Sequence, residues 1–199
     1  MSMARRAGAF VVLVGPDGVG KTAVARALVE QYDGPTAYFH FIPPVRGRMA
    51  SHPPAGSTAP PKMPGAHGSR LLGWCRLARN VARVWLGYLA SVRPAVRVGS
   101  LVIGDRCVYG YLVRPQALGF YGPRGLATAA IRLLPRPDLV ANLHATSEVI
   151  RCRKQELTTS QIDAELAAWS RIPEPRMKTF AADEPPWAIA CRILRELPQ

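Results

Sequence analysis

The sequence predicts a three-layer α/β fold, a mostly parallel sheet with helices on both faces. Three observations predict it. Short apolar, β-branched runs alternate with longer amphipathic ones along the chain. The first such run, Phe10 to Val14, feeds into a glycine-rich loop and then a helix-forming stretch, Ala23 to Gln31. Most connections are short, and no internal repeat competes with this reading. At 199 residues and 48% hydrophobic content, the chain has enough apolar material for a single domain, residues 1–199, around an ordinary core.

The loop between the first strand and helix reads Gly15, Pro16, Asp17, Gly18, Val19, Gly20, Lys21, Thr22. It fits the P-loop pattern G-x-x-x-x-G-K-[ST] at every fixed position and has the required strand before it and helix after it. Glycines permit a tight turn whose backbone N–H groups face phosphate oxygens, and the helix N-terminus adds partial positive charge. Lys21 is placed to reach the β- and γ-phosphates, and the Thr22 hydroxyl to hold Mg²⁺. The pattern therefore points to a nucleoside triphosphate, with ATP and Mg²⁺ as the expected cofactors.

Beyond Gln31 the pattern breaks at Tyr32, Asp33, Gly34 and Pro35. Thr36 to Ile42 reads as a second strand, closed by Pro43 and Pro44. Residues 45–68 are rich in Pro, Gly, Ser and Ala and carry no apolar periodicity, so they read as an insert that is either disordered or a mobile flap over a substrate. From Ser69 to Val92, Leu71, Cys75, Ala78, Ala82, Trp85 and Leu89 recur at three- and four-residue spacing, the mark of a helix with one apolar stripe. Pro94 is expected to limit it. Arg79 and Arg83 lie off the stripe, facing either solvent or a phosphate-bearing acceptor.

Ser100 to Gly104 reads as a short buried strand with Asp105 and Arg106 at its C-terminal end, where ligand groups gather in open α/β sheets. An acidic residue there can hold Mg²⁺ or take a proton from an acceptor hydroxyl; an arginine beside it can hold a phosphate. Tyr109 to Gly125 reads as a loop or lid edge, and Leu126 to Leu134 as a helix stopped by Pro135. Asp138 to Leu143 reads as a strand, followed by a helix carrying Glu148, Arg151, Arg153, Lys154 and Glu156. Those cations suit a lid closing over a triphosphate, or an exposed basic face with ordinary Glu–Arg pairs. Ile162 to Ile172 reads as a helix, Met177 to Ala182 as a strand, and Trp187 to Leu197 as a final helix after Pro185 and Pro186.

The net charge of +13 fits nucleic acid, a site handling several phosphates, or arginine-rich coding alone. The arginines are dispersed rather than gathered in a tract, so nucleic acid is not the expected partner. Cys75, Cys107, Cys152 and Cys191 form no C-x-x-C pair and signal neither zinc nor a disulfide framework. Arg5 and Arg6 precede an apolar run too short for an export signal, and no run of about eighteen apolar residues exists. A cytoplasmic protein without a membrane span is the expectation.

Together, G-P-D-G-V-G-K-T at 15–22, L-V-I-G-D-R at 101–106 and R-C-R-K-Q-E-L at 151–157 resemble the thymidylate kinase family of P-loop nucleoside monophosphate kinases, in its divergent thymidylate kinase-like branch. The stretches D-R-C-V-Y-G-Y-L-V-R-P and L-L-P-R-P-D-L-V belong to the same likeness, which spans most of the chain outside the insert. The resemblance implies that Gly15 to Thr22 bind the ATP phosphates and that Asp17 faces the acceptor nucleotide. It implies Asp105 near Mg²⁺ and the acceptor, Arg106 on the acceptor phosphate, and Arg151, Arg153 and Lys154 as lid cations. It also suggests a homodimer through the long helix from Ser69. The acceptor side departs from the family. Cys107 stands where a tyrosine commonly follows Asp-Arg, and Gly110 and Arg114 stand where Asp is frequent. Ile42 to Arg46 read I-P-P-V-R where an Arg-Glu-Pro motif is usual. The implied activity is γ-phosphoryl transfer from ATP to a nucleoside monophosphate, most simply dTMP. The alternatives are a non-nucleotide small-molecule acceptor, or a low-turnover nucleotide-binding regulator. No N-K-x-D motif supports a GTPase.

Overall fold

A computed structural model describes residues 7–54, 70–153 and 158–198. Five strands, β1 (Ala9–Val14), β2 (Thr36–His40), β3 (Leu101–Asp105), β4 (Leu139–His144) and β5 (Met177–Ala181), form one sheet in the order β2-β3-β1-β4-β5. Every pairing between them is parallel, with Ala9 opposite Leu101, Val11 opposite Leu139, Thr36 opposite Leu101 and Val140 opposite Met177. The run Phe10 to Val14 is apolar throughout because β1 is central and covered on both faces. Ala9, Val11 and Leu13 enter one core, and Val12 and Val14 enter the other.

The first core is closed by α1 (Lys21–Gln31), α6 (Ser147–Arg153) and α8 (Pro186–Arg195), through Leu28, Ile150, Ile189 and Ile193. The second is closed by α2 (Arg70–Gly87), α4 (Gly110–Val113) and α5 (Arg124–Arg132), through Leu77, Tyr111, Leu112, Ala127 and Ile131. The helix α7 (Thr159–Ser170) reaches both, with Ile162 in the first core and Trp169 in the second. It begins before the Ile162 expected from periodicity because Thr158 and Gln161 form a reciprocal capping box.

Four sequence expectations need correction. The strand expected to run to Ile42 ends at His40, because Phe41 turns to φ 65° and sends its N–H to the Asp105 carbonyl. The helix expected to stop near Pro94 continues. Tyr88–Val92 form a π-helical turn in which Arg93 N–H bonds the Tyr88 carbonyl, and α3 (Arg93–Arg97) follows with Pro94 in its first turn. The wider turn just before Pro94 is the kind of local irregularity that lets a helix run through a proline, which lacks an N–H and crowds the carbonyl four residues back in a regular helix. The stretch from Tyr109 to Gly125 is not simply loop. It holds α4 and a 3₁₀ turn, Gln116–Leu118, and buries Tyr109, Tyr111, Leu112 and Phe120.

The fourth correction concerns α2. Its inward face is Gly73, Leu77, Asn80 and Gly87, whereas Leu71, Leu72, Trp74, Leu86 and Leu89 are exposed. Periodicity identified a real stripe but not its direction. The helix seats on small residues because the chain beneath comes close: a Cβ on Gly87 would lie 2.3 Å from the Pro43 carbonyl oxygen. The bulkier stripe cannot face that approach.

The insert expected over 45–68 divides in two. Ala50 bridges antiparallel to Tyr38, Thr36 Oγ1 donates to the Ser51 carbonyl, and Arg26 Nη2 donates to the Pro54 carbonyl. This segment covers the β2 edge, which would otherwise offer free backbone groups for pairing. Residues 55–69 lie outside the described residues. No described helix is long and apolar enough to cross a membrane.

The second core contains a polar pair. Asn80 Nδ2 donates to Tyr111 Oη at 2.7 Å, and Tyr111 stacks edge-on against Phe120 with centroids 6.0 Å apart. Tyr111→Phe strands the buried amide and is expected to cost about 1–3 kcal/mol in urea unfolding, while Tyr111→Phe with Asn80→Leu recovers much of that loss.

Candidate functional site

The P-loop bends through Gly15 (φ 135°), Gly18 (φ 87°) and Gly20 (φ 108°), a backbone region that side chains rarely adopt. At Gly15 a Cβ would also lie 2.6 Å from the Leu143 carbonyl oxygen. Gly20 caps α1 with no side-chain hydrogen bond, so the first N–H groups of α1 face the loop without a competing cap.

Lys21 opens α1 and is buried, with Nζ donating to the carbonyls of Gly15 at 3.0 Å and Pro16 at 2.7 Å. Burial lowers its pKa from 10.5 to about 8, while the carboxylates of Asp17 and Asp105 pull it back up. Asp17 Oδ1 lies 3.7 Å from Lys21 Nζ and 2.6 Å from Arg106 Nη2, and Asp17 Oδ2 lies 3.1 Å from Arg114 Nη2. Arg114 Nε in turn meets Glu165 Oε1 at 2.8 Å. Loop, strand end and two helical layers are thereby tied into one chain of alternating charge.

Asp105 is the last residue of β3, and its neighbours in register are Leu13 on β1 and His40 on β2. Its Oδ2 accepts from Tyr38 Oη at 2.9 Å, and its Oδ1 is buried with no partner among the described residues. Burial, the Asp105 charge and that hydrogen bond together push the Tyr38 phenol well above its usual range. Arg106 turns the chain at φ 55°, which aims its guanidinium back at Asp17. His40 also has a buried Nδ1 without a partner among the described residues, and burial lowers its pKa.

Of these groups, Gly15, Asp17, Lys21, His40, Arg106, Arg114 and Glu165 line a cleft of about 620 Å³ together with apolar side chains such as Trp169. Arg83 of α2, read from the sequence as facing either solvent or an acceptor, reaches this cleft. Cys107 lies there as well, its thiol pushed up to about 12 by burial and so kept out of the thiolate form.

The residues read as lid cations diverge. Arg153 Nη1 donates to the Val19 carbonyl in the P-loop and to the Ala182 carbonyl after β5, each at 3.1 Å. Arg151 is exposed and donates to Thr159 Oγ1 at 3.0 Å. Lys154 lies outside the described residues. Among the described residues, no group of three or more His, Cys, Asp or Glu could hold a metal by itself.

Sequence reasoning missed Glu165 and the pairing role of Arg114. A signal for Glu165 existed. It falls three residues after Ile162 and four before Trp169, on the buried face of α7, where a carboxylate requires a partner.

No family model matches the sequence, and no curated protein matches it. The likeness is structural. Thymidylate kinase from Ehrlichia chaffeensis aligns with a TM-score of 0.55 at 14% identity, covering 94% of this chain and 96% of that one. Thymidylate kinase from Candida albicans aligns with a TM-score of 0.62 at 15% identity, covering 94% of this chain and 90% of that one. The chain thus has a thymidylate kinase-like P-loop fold in divergent form, as its sequence motifs implied.

The Lys21 environment gives a pH signature. Below pH 8 both folded and unfolded chains carry the proton, and the buried charge lowers stability; between about 8 and 10.5 only the unfolded chain holds it, so that penalty fades as pH rises. Lys21→Met removes the titrating group, so the rise in stability that the parent shows between about pH 8 and 10.5 in urea unfolding is expected to be absent from the variant.

Proposed function

We propose that the chain is an ATP-dependent phosphotransferase acting on a small phosphate acceptor, a nucleoside monophosphate with dTMP the simplest candidate. One observation carries the reading: the P-loop and the cleft beside it share Lys21 and Asp17, so a donor phosphate on the loop would face an acceptor held by Arg106. In this reading Gly15, Pro16, Asp17, Gly18, Val19, Gly20, Lys21 and Thr22 bind the triphosphate. Lys21 leaves the Gly15 and Pro16 carbonyls for the β- and γ-phosphates. Arg106 exchanges Asp17 for the acceptor phosphate, and Arg153 lies near enough to the loop to neutralise charge, with Arg151 and Lys154 completing the lid.

Mg²⁺ fits this site. The unpaired buried oxygen of Asp105 and the Thr22 hydroxyl are hard oxygen donors that would hold it, and bound there it would supply positive charge to the transferring phosphoryl group. In the alternative role, with Mg²⁺ held without it, the same Asp105 Oδ1 would take a proton from the acceptor while Tyr38 fixes Oδ2.

The acceptor side also supports a second reading, a kinase for a non-nucleotide molecule, because Arg114 already holds both Asp17 and Glu165 in the cleft. The exposed face of α2 further supports a homodimer. Leu71, Leu72, Trp74, Leu86 and Leu89 form an apolar strip that a second copy would cover.

Purified protein with Mg-ATP, offered nucleoside monophosphates and then nucleosides and sugars, is expected to release ADP fastest with a nucleoside monophosphate. Stimulation only by a non-nucleotide would establish the second reading, and tight ATP binding with no turnover would leave a regulator. Arg106→Ala should raise the acceptor KM at least about tenfold with little change in the ATP KM, the loss expected for a charge-assisted contact. Leu86→Glu is expected to shift the mass in analytical ultracentrifugation from dimer to monomer, and a parent protein that is already monomeric removes the dimer reading.

A further inference from the structure

Glu165 is a buried carboxylate on the wall of the acceptor cleft, 7% exposed, with its two oxygens in different states. Oε1 accepts from Arg114 Nε at 2.8 Å, whereas Oε2 has no hydrogen-bond partner among the described residues. An unpaired carboxylate oxygen away from water is costly, and burial accordingly raises the Glu165 pKa against the pull of Arg114. Arg114 meets Asp17 on its other side, so Glu165 is held from behind while the residue lines the cleft, and a ligand that reaches Oε2 would give that buried oxygen its missing partner.

We infer that Glu165 selects the acceptor by accepting a hydrogen bond through Oε2 from an N–H or O–H group that the acceptor carries in addition to its phosphate-accepting group. This rests on the kinase reading for the meaning of acceptor. The guanidinium beside it adds a donor, so the pair favours a ligand edge with a donor next to an acceptor. A pyrimidine-dione N–H beside its carbonyl, or a sugar hydroxyl beside a second oxygen, has that chemistry. A ligand lacking the donor leaves Oε2 unpaired in the complex and is rejected for that reason.

Glu165→Gln is the informative change. Arg114 still demands an oxygen from the amide, so the NH₂ replaces Oε2 and a donor faces the ligand donor. The experiment measures binding to full-length parent and variant, each with a non-hydrolysable ATP analogue, alongside turnover with ATP. The probes are dTMP against N3-methyl dTMP for a base N–H, and UMP against dUMP for a sugar O–H. With at least one pair, the parent should prefer the donor-bearing member by roughly tenfold or more. The variant should lose that preference while keeping the parent affinity for the ATP analogue. A variant that keeps the preference, or a parent that binds capped and uncapped members equally, overturns the inference; the parent arm decides even if the variant does not fold. Glu165-dependent binding without phosphoryl transfer would sink the kinase reading and leave this one standing. Failure of every probe to bind the parent overturns this one.

Discussion

The convergence of Lys21, Arg106 and Arg114 on the Asp17 carboxylate is the interaction on which the candidate site depends. Each cation comes from a different part of the chain: the start of α1, the end of β3, and the turn after α4. Without Asp17 their charges would repel across a partly dry cleft, and the loop would lose its tie to the second core. Such pairs add modest net stability, because desolvation offsets much of the attraction; losing one member is what costs, since it leaves a charge buried and unpaired. The role of Asp17 is therefore to fix geometry more than to add stability.

The sheet order makes this convergence possible. With β1 between β3 and β4, and β2 beyond β3, the C-terminal ends of β1, β3 and β2 lie side by side. The chain turns sharply at two of those ends, Phe41 and Arg106, both at positive φ. Such conformations cost on the order of 1–3 kcal/mol each and persist where surrounding bonds enforce them. Here the Phe41 N–H bonds the Asp105 carbonyl and the Arg106 N–H bonds the Leu13 carbonyl, so each strained turn is pinned to the neighbouring strand.

The sheet strands and the P-loop were legible because their signals are local. An apolar β-branched run, two spaced glycines and a Lys-Thr pair need no knowledge of what lies across the fold. The features that escaped are set by tertiary approach. The direction of α2 depends on how closely Pro43 lies beneath Gly87, and the continuation past Pro94 on a π turn that composition does not announce. Arg114 was visible as a departure from the family, but its partners Asp17 and Glu165 are far away in sequence and meet it only in the folded cleft. Segment 45–54 read as featureless because its few bonds run to β2 and α1.

The π turn at Tyr88–Val92 also works as a phase shifter. An α-helix advances about 100° per residue, so a single extra residue per turn rotates everything downstream by roughly that angle. Gly87 and Leu77 can then press one face of α2 toward the loop at Pro43 and the second core, while Val92, Ala95 and Val96 turn to meet Phe39 and Val102 in a separate cluster. One continuous rod thereby serves two packing surfaces that no straight helix of the same length could align. Deleting one residue from that turn would put the two ends out of step with each other, without altering any residue that contacts the cleft.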